Sequence, residues 1–89
     1  MLITPKILEV KVLKDYYIYL KFEDGKEKVY DMTQLVENNK FYERLKDRNY
    51  FIQVKPRSIS IEWPNGEDVC PENLYNDSIE FSLFQQQVK

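Results

Sequence analysis

Histidine is absent from this chain, and cysteine occurs once. The first absence removes the side chain most often used as a general base and the commonest transition-metal ligand. The second excludes an internal disulfide, leaves Cys70 without an imidazole to activate it, and fits a reducing compartment. Glycine is scarce too: Gly25 and Gly66 are the only two, so no glycine-rich phosphate loop can form. No apolar run approaches the roughly 18 residues of a spanning helix. Met1-Leu2-Ile3 is followed by Thr4, Pro5 and Lys6, so no apolar leader segment is expected. A soluble, cytoplasmic protein with no membrane contact, no metal and no cofactor is expected. An excess of basic charge is also missing, since 13 Lys and Arg face 15 Asp and Glu for a net charge of −2. A generic polyanion binder is therefore not indicated.

What is present is aromatic. Seven Tyr, five Phe and one Trp supply 15% of the 89 residues. A domain of this size buries only about 60–65% of the surface its unfolded chain exposes, so large rings are an efficient way to build its core. Charge is unevenly spread. Residues 40–57 hold six basic side chains (Lys40, Arg44, Lys46, Arg48, Lys55, Arg57) against Glu43 and Asp47, whereas residues 58–88 hold six acidic side chains and no basic one. Such segregation is the compositional hint of a partner.

The alternation Leu8, Val10, Val12 against Glu9, Lys11 predicts a half-buried strand. Asp15 marks a turn. Tyr16 to Glu23 alternates again, with Tyr16, Ile18, Leu20 and Phe22 on one side and Tyr17, Tyr19 and Lys21 on the other. Asp24-Gly25 signals a hairpin back into Lys26–Tyr30. A three-residue loop would set Lys21 opposite Glu27, which is preferred to the like-charge pairing with Lys28 that a two-residue loop would give. Asp31-Met32-Thr33-Gln34 has the spacing of a capping box before a short helix. A second helix is expected from about Lys40 to Asp47, with Phe41 and Leu45 on one face and Lys40, Arg44 and Arg48 striping another. Tyr50–Lys55 reads as a strand, Pro56-Arg57 as a turn, and Ser58–Trp63 as a strand with Ile59, Ile61 and Trp63 inward. Trp63 then ends the last strand as a core residue. Pro64-Asn65-Gly66 makes the turn, Asp68 bonds the turn amides, and Tyr75 closes the domain. Residues 1–76 form a single α+β domain, a small antiparallel sheet with short helices packed on one face. Residues 77–89 form an extension: an extra edge strand, which the alternation of Ile79, Phe81 and Leu83 favours, a short helix, or a segment that packs only against a partner.

Several of these residues form a family pattern. Phe22-Glu23-Asp24-Gly25, Tyr30-Asp31-Met32, Phe41 with Leu45 and Asp47, Phe51, and Ile61-Glu62-Trp63-Pro64-Asn65-Gly66-Glu67-Asp68 are followed by Pro71-Glu72 and Leu74-Tyr75. Together they resemble the small bacterial family of domain of unknown function 2442, from about Ile7 to Tyr75. The Trp-Pro-Asn-Gly-x-Asp element carries most of the likeness. The resemblance implies an α+β fold and brings no established activity. Its members stand alone, are fused to a helix-turn-helix domain, or are encoded beside a small partner in what looks like a toxin–antitoxin arrangement. The stand-alone form is expected here.

The candidate sites are few. Glu67, Asp68 and Glu72 could hold a hard cation, but the favoured reading is that Asp68 bonds turn amides and the acidic residues suit the start of the helical turn at Pro71. Tyr17 and Tyr19 could stack nucleic-acid bases, or lie under a cover of helices or of Ile79–Phe84. Lys40, Arg44 and Arg48 could dock phosphates or an acidic protein surface. Ile79, Phe81 and Phe84 are apolar with nothing obvious to bury them. The resulting expectation is a non-enzymatic protein–protein interaction module, antitoxin-like or inhibitor-like, a phage- or mobile-element-encoded nuclease inhibitor included. The alternative is a nucleic-acid-binding regulatory module using the basic stripe with Tyr17 and Tyr19.

Overall fold

The computed structural model describes residues 4–87, without the side chain of Gln87. Met1, Leu2 and Ile3, which bear on the leader reading, lie outside the described residues. In chain order the elements are strands β1 (Ile7–Val12), β2 (Tyr17–Phe22) and β3 (Glu27–Asp31), helix α1 (Thr33–Asn38), a 3₁₀ helix (Lys40–Lys46) and α2 (Arg48–Phe51). Strands β4 (Lys55–Arg57) and β5 (Ser60–Glu62), helix α3 (Pro71–Asn76), strand β6 (Ile79–Glu80) and helix α4 (Phe81–Gln87) follow. The main sheet is antiparallel in the order β1-β2-β3-β6, and β4 and β5 form a separate ribbon. The protein is a small α+β domain.

Turn chemistry sets the sheet. Asp15 takes φ 52° between β1 and β2, a left-handed conformation that Asp tolerates. Gly25 takes φ 90° and its amide donates to the Phe22 carbonyl at 3.0 Å, closing a three-residue loop. Lys21 therefore pairs with Glu27, as the charges favoured. A bulge between Ile7 and Glu9 leaves Leu8 unpaired and 58% exposed.

One face of the sheet builds the main core. Ile18, Leu20 and Phe22 are wholly buried there against Met32, Leu45, Phe51, Ile61, Trp63 and Leu74. The cap of α1, the 3₁₀ helix, α2, α3, and β5 with the residue after it supply those partners. The opposite face carries Tyr17, Tyr19 and Val29, and α4 lies over it. The helices before residue 77 thus pack on one face of the sheet, as expected, and α4, from the extension, covers the other.

Local chemistry overrides periodicity at four places. The 40–46 segment is 3₁₀, with three residues per turn, so Tyr42 and Leu45 share the buried side and Phe41 is left 55% exposed. The Asp47 carboxylate accepts from the Asn49 amide at 3.0 Å, and that cap starts the helix Arg48–Phe51, which takes Tyr50 and Phe51 out of the strand expected over Tyr50–Lys55 and delays the strand to Lys55. Pro56 and Arg57 belong to β4, and the turn is Ser58-Ile59, with Ser58 at φ 52° and Ile59 38% exposed. A proline fits there because a two-stranded ribbon has only edges. No capping box forms: Met32 occupies the cap without a side-chain bond, and the Asp31 carboxylate instead accepts from the amide and hydroxyl of Thr33.

Candidate partner interface

The sequence-derived candidates separate into two regions of the sheet. Around Trp63 the arrangement is a closed structural clamp. The buried indole stacks on Phe51 at 5.8 Å and 21°, and its Nε1–H donates to the Phe51 carbonyl at 2.8 Å. Gly66 takes φ 97°, and its amide donates to the Trp63 carbonyl at 2.9 Å, completing the turn through Pro64 and Asn65. The Asn65 amide donates to the Tyr50 hydroxyl at 2.8 Å, and that hydroxyl donates to Glu67 Oε1 at 2.5 Å. Glu67 is the buried charged residue of the described chain, 5% exposed, with Arg44 Nε 4.0 Å from its other oxygen. Burial, and then the Glu67 carboxylate, push the Tyr50 phenol above its ordinary range.

Glu67 thus holds the turn, a role the sequence had suggested for Asp68. The Asp68 side chain is exposed, and its residue contributes through the backbone: a bridge to Glu62 and a carbonyl that accepts from Tyr42 at 2.8 Å. Glu67 turns inward while Asp68 and Glu72 face outward, and among the described residues no group of three or more acidic or thiol side chains gathers around a cation-sized space. Tyr75 ties α3 to the first hairpin. Its hydroxyl donates to Asp24 Oδ2 at 2.6 Å, its ring meets Phe22 edge-on at 5.0 Å, and Lys28 Nζ stands 4.2 Å from the ring centroid. The Tyr75 hydrogen bond holds the Asp24 carboxyl below its usual range.

The basic residues do not form a stripe. Four-residue spacing scatters on a 3₁₀ helix, and Arg48 lies beyond it in α2. Arg48 donates through Nη2 to the Leu13 carbonyl at 2.5 Å and through Nη1 to the Asp15 carbonyl, latching α2 to the β1–β2 turn. Arg44 stands beside Glu67, and Lys40 lines a shallow groove with Glu37 and Glu43.

The second region is the other face of the sheet, where Tyr17, Tyr19, Phe81 and Phe84 are brought together. Phe81 meets Tyr19 and Phe84 meets Tyr17, each edge-on with centroids 5.0 Å apart. Tyr19 is 7% exposed and Phe84 8%, with Val29 buried at 2% between strands. The Tyr19 hydroxyl donates to Glu27, and Lys11 stands over its ring at 5.8 Å. Burial, then the Glu27 hydrogen bond and charge, raise the Tyr19 phenol to about 12. Ile79 pairs with Val29 as the two-residue edge strand β6, and the chain then turns into the short helix α4, so the segment combines the edge-strand and short-helix readings and is not a free segment. Phe81 and Phe84 fall one helical turn apart, on one side. Leu83 on the far side stays 47% exposed. Two open grooves flank α4. One, of about 360 Å³, is lined by Leu13, Lys14, Phe81, Phe84 and Gln85. The other, of about 470 Å³, runs past Gly25, Lys26, Glu27, Glu80, Phe81, Ser82 and Gln85. Leu13, Val29 and Gln85 belong to this region without having been singled out in the sequence; the Val29 signal was its place on the Tyr19 side of the hairpin.

A small α+β domain with a clamped tryptophan turn on one side and an aromatic cover on the other is therefore the class of protein at hand. Its sequence matches, over residues 7–80, the family described as Protein of unknown function (DUF2442), and the chain belongs to that family. The match ends at the last residue of β6, so α4 lies beyond it. No curated protein and no solved structure matches the chain. Among the described residues no helix is long and apolar enough to cross a membrane.

Proposed function

We propose that this chain is a non-enzymatic protein–protein interaction module, antitoxin-like or inhibitor-like, whose partner contact is the sheet face under and around α4. The observation that carries this reading is the character of that cover. In a chain with 31% charged residues, α4 has the sequence Phe-Ser-Leu-Phe-Gln-Gln-Gln, with no charge, an exposed leucine and an open groove on each side. A polar rim around an apolar, aromatic centre is the make-up of a protein interface. The nucleic-acid alternative draws no support from the placement of its residues. Arg48 is spent on two carbonyls, Arg44 stands beside Glu67 and Lys40 lies in a groove with Glu37 and Glu43, so the basic residues do not gather beside Tyr17 and Tyr19.

Affinity capture from cells expressing the chain tests the reading, using wild type and the Phe81→Ala/Phe84→Ala double variant. A partner whose recovery changes several-fold between the two is expected. Equal recovery by both would remove this face from the interaction. A retarded nucleic-acid band at low salt, abolished by Arg44→Glu, would move the assignment to the alternative.

A further inference from the structure

We propose that α4 is an exchangeable resident of a helix-binding trough on β1–β2–β3, and that the occupant replacing it is a helical segment of another protein. That segment carries two aromatic residues at i and i+3 and a carboxylate at i+4. The inference rests on the interaction reading above and adds the mode of contact and the chemistry of the partner.

Three features point to exchange. The first is how little holds the resident. The seven described residues of α4 fall well under the roughly 12–15 that make an isolated helix even marginal in water, so the helicity of this stretch leans on its docking. Its anchors on the sheet are two ring pairs, Phe81 on Tyr19 and Phe84 on Tyr17, and β6 adds just two residues to β3. The second is fit. Grooves of about 360 and 470 Å³ remain beside α4, so the trough is wider than the helix lying in it. A larger occupant gains apolar area that α4 does not cover.

The third is charge. Lys14 lines the groove with Leu13, Phe81, Phe84 and Gln85, and among the described residues it forms no ion pair. The resident helix offers it only the neutral Gln85. On a helix seated in the same way, a carboxylate at that position faces Lys14 across an apolar floor. Gln85 also lines the groove on the other side, where Glu80 stands with Lys26 and Glu27 accepts from the Tyr19 hydroxyl, so Lys14 is the charge at that position left without a partner. The trough therefore selects both the aromatic spacing and the sign of the neighbouring charge.

The test uses fluorescence anisotropy with labelled synthetic peptides of residues 77–87, one carrying Gln85→Glu and one Gln85→Lys. They are titrated against the full wild-type chain and the full Phe81→Ala/Phe84→Ala chain. A tethered resident competes at an effective concentration on the order of mM, so the opened chain should bind the Glu peptide more than ~10-fold more tightly than wild type does. It should also prefer the Glu peptide over the Lys peptide, and Lys14→Glu should invert that preference. Trp63, in the opposite core, reports by its emission whether the double variant is folded; if it is not, Phe84→Ala alone takes its place. An opened chain with native Trp63 emission that binds neither peptide, or binds both equally, would overturn the proposal. If peptide binding fails while cellular capture still depends on Phe81 and Phe84, exchange alone is lost; if capture is also indifferent, the interaction reading falls with it.

Discussion

The two faces of one sheet are closed by different means. On the Trp63 side, wholly buried residues from six elements interlock, and the polar groups among them are matched: indole to the Phe51 carbonyl, Tyr50 to Glu67, Tyr42 to the Asp68 carbonyl. On the α4 side, a short segment rests on two edge-on ring pairs and a two-residue strand. Buried aromatic pairs stabilise both, but among the described residues side-chain hydrogen bonds tie the packed elements together on the first face, while on the second the segment is held by the short β6–β3 ladder alone. The first is a fold determinant, and the second is a surface that can be remade.

That contrast can be broken from either side. The largest effect is expected from Trp63→Ala, which empties a large site in a packed core and should cost about 3–5 kcal/mol in a denaturant melt. Glu67→Ala should cost about 1–3 kcal/mol, because it leaves the Tyr50 hydroxyl without its acceptor beneath the Pro64–Gly66 turn. Glu67→Gln, which keeps an acceptor, should cost clearly less. Phe84→Ala should lower global stability by less than about 2 kcal/mol, because the element it loosens opens without the rest of the domain. Its signature is faster amide exchange across 79–87 with unchanged Trp63 emission.

The smallest effect is a titration. Tyr19 is raised to about 12 by burial and by Glu27. The unfolded chain therefore loses that proton first as pH rises past about 10, and the native state holds more protons than the unfolded one. Stability from this group is complete below about pH 10 and is lost as pH rises to about 12. Absorbance at the phenolate band should show a late-titrating tyrosine in wild type and an earlier one in Phe81→Ala, whose Tyr19 is uncovered. An unaltered titration in that variant would mean that α4 does not bury Tyr19.

Much of this architecture is legible in the sequence where one short-range force acts alone. Alternation in Tyr17–Phe22 sorts Ile18, Leu20 and Phe22 from Tyr17 and Tyr19, and opposite charges on Lys21 and Glu27 set the hairpin register. Trp63 reads as core from the same alternation. What is hidden depends on distant partners or on competing periods. Glu67 looks like a surface acid because its partner Tyr50 lies 17 residues earlier. Arg48 looks free because the carbonyls it binds are 35 and 33 residues away. Tyr42, not Phe41, is buried because a seven-residue 3₁₀ helix repeats every three residues, a period that so short a window does not separate from 3.6. Ile79–Phe84 combines two residues of strand with the start of a helix, and neither pattern has room to declare itself.

Native-state hydrogen exchange of the wild-type chain tests the central distinction most directly. The account predicts that amides of β6 and α4 exchange through a local opening whose free energy lies well below that of the Trp63–Glu67 turn and of β2, and that this opening stays the same when Glu67→Gln lowers global stability. Exchange of α4 amides only through global unfolding, falling in step with that of the Trp63 side, would contradict it.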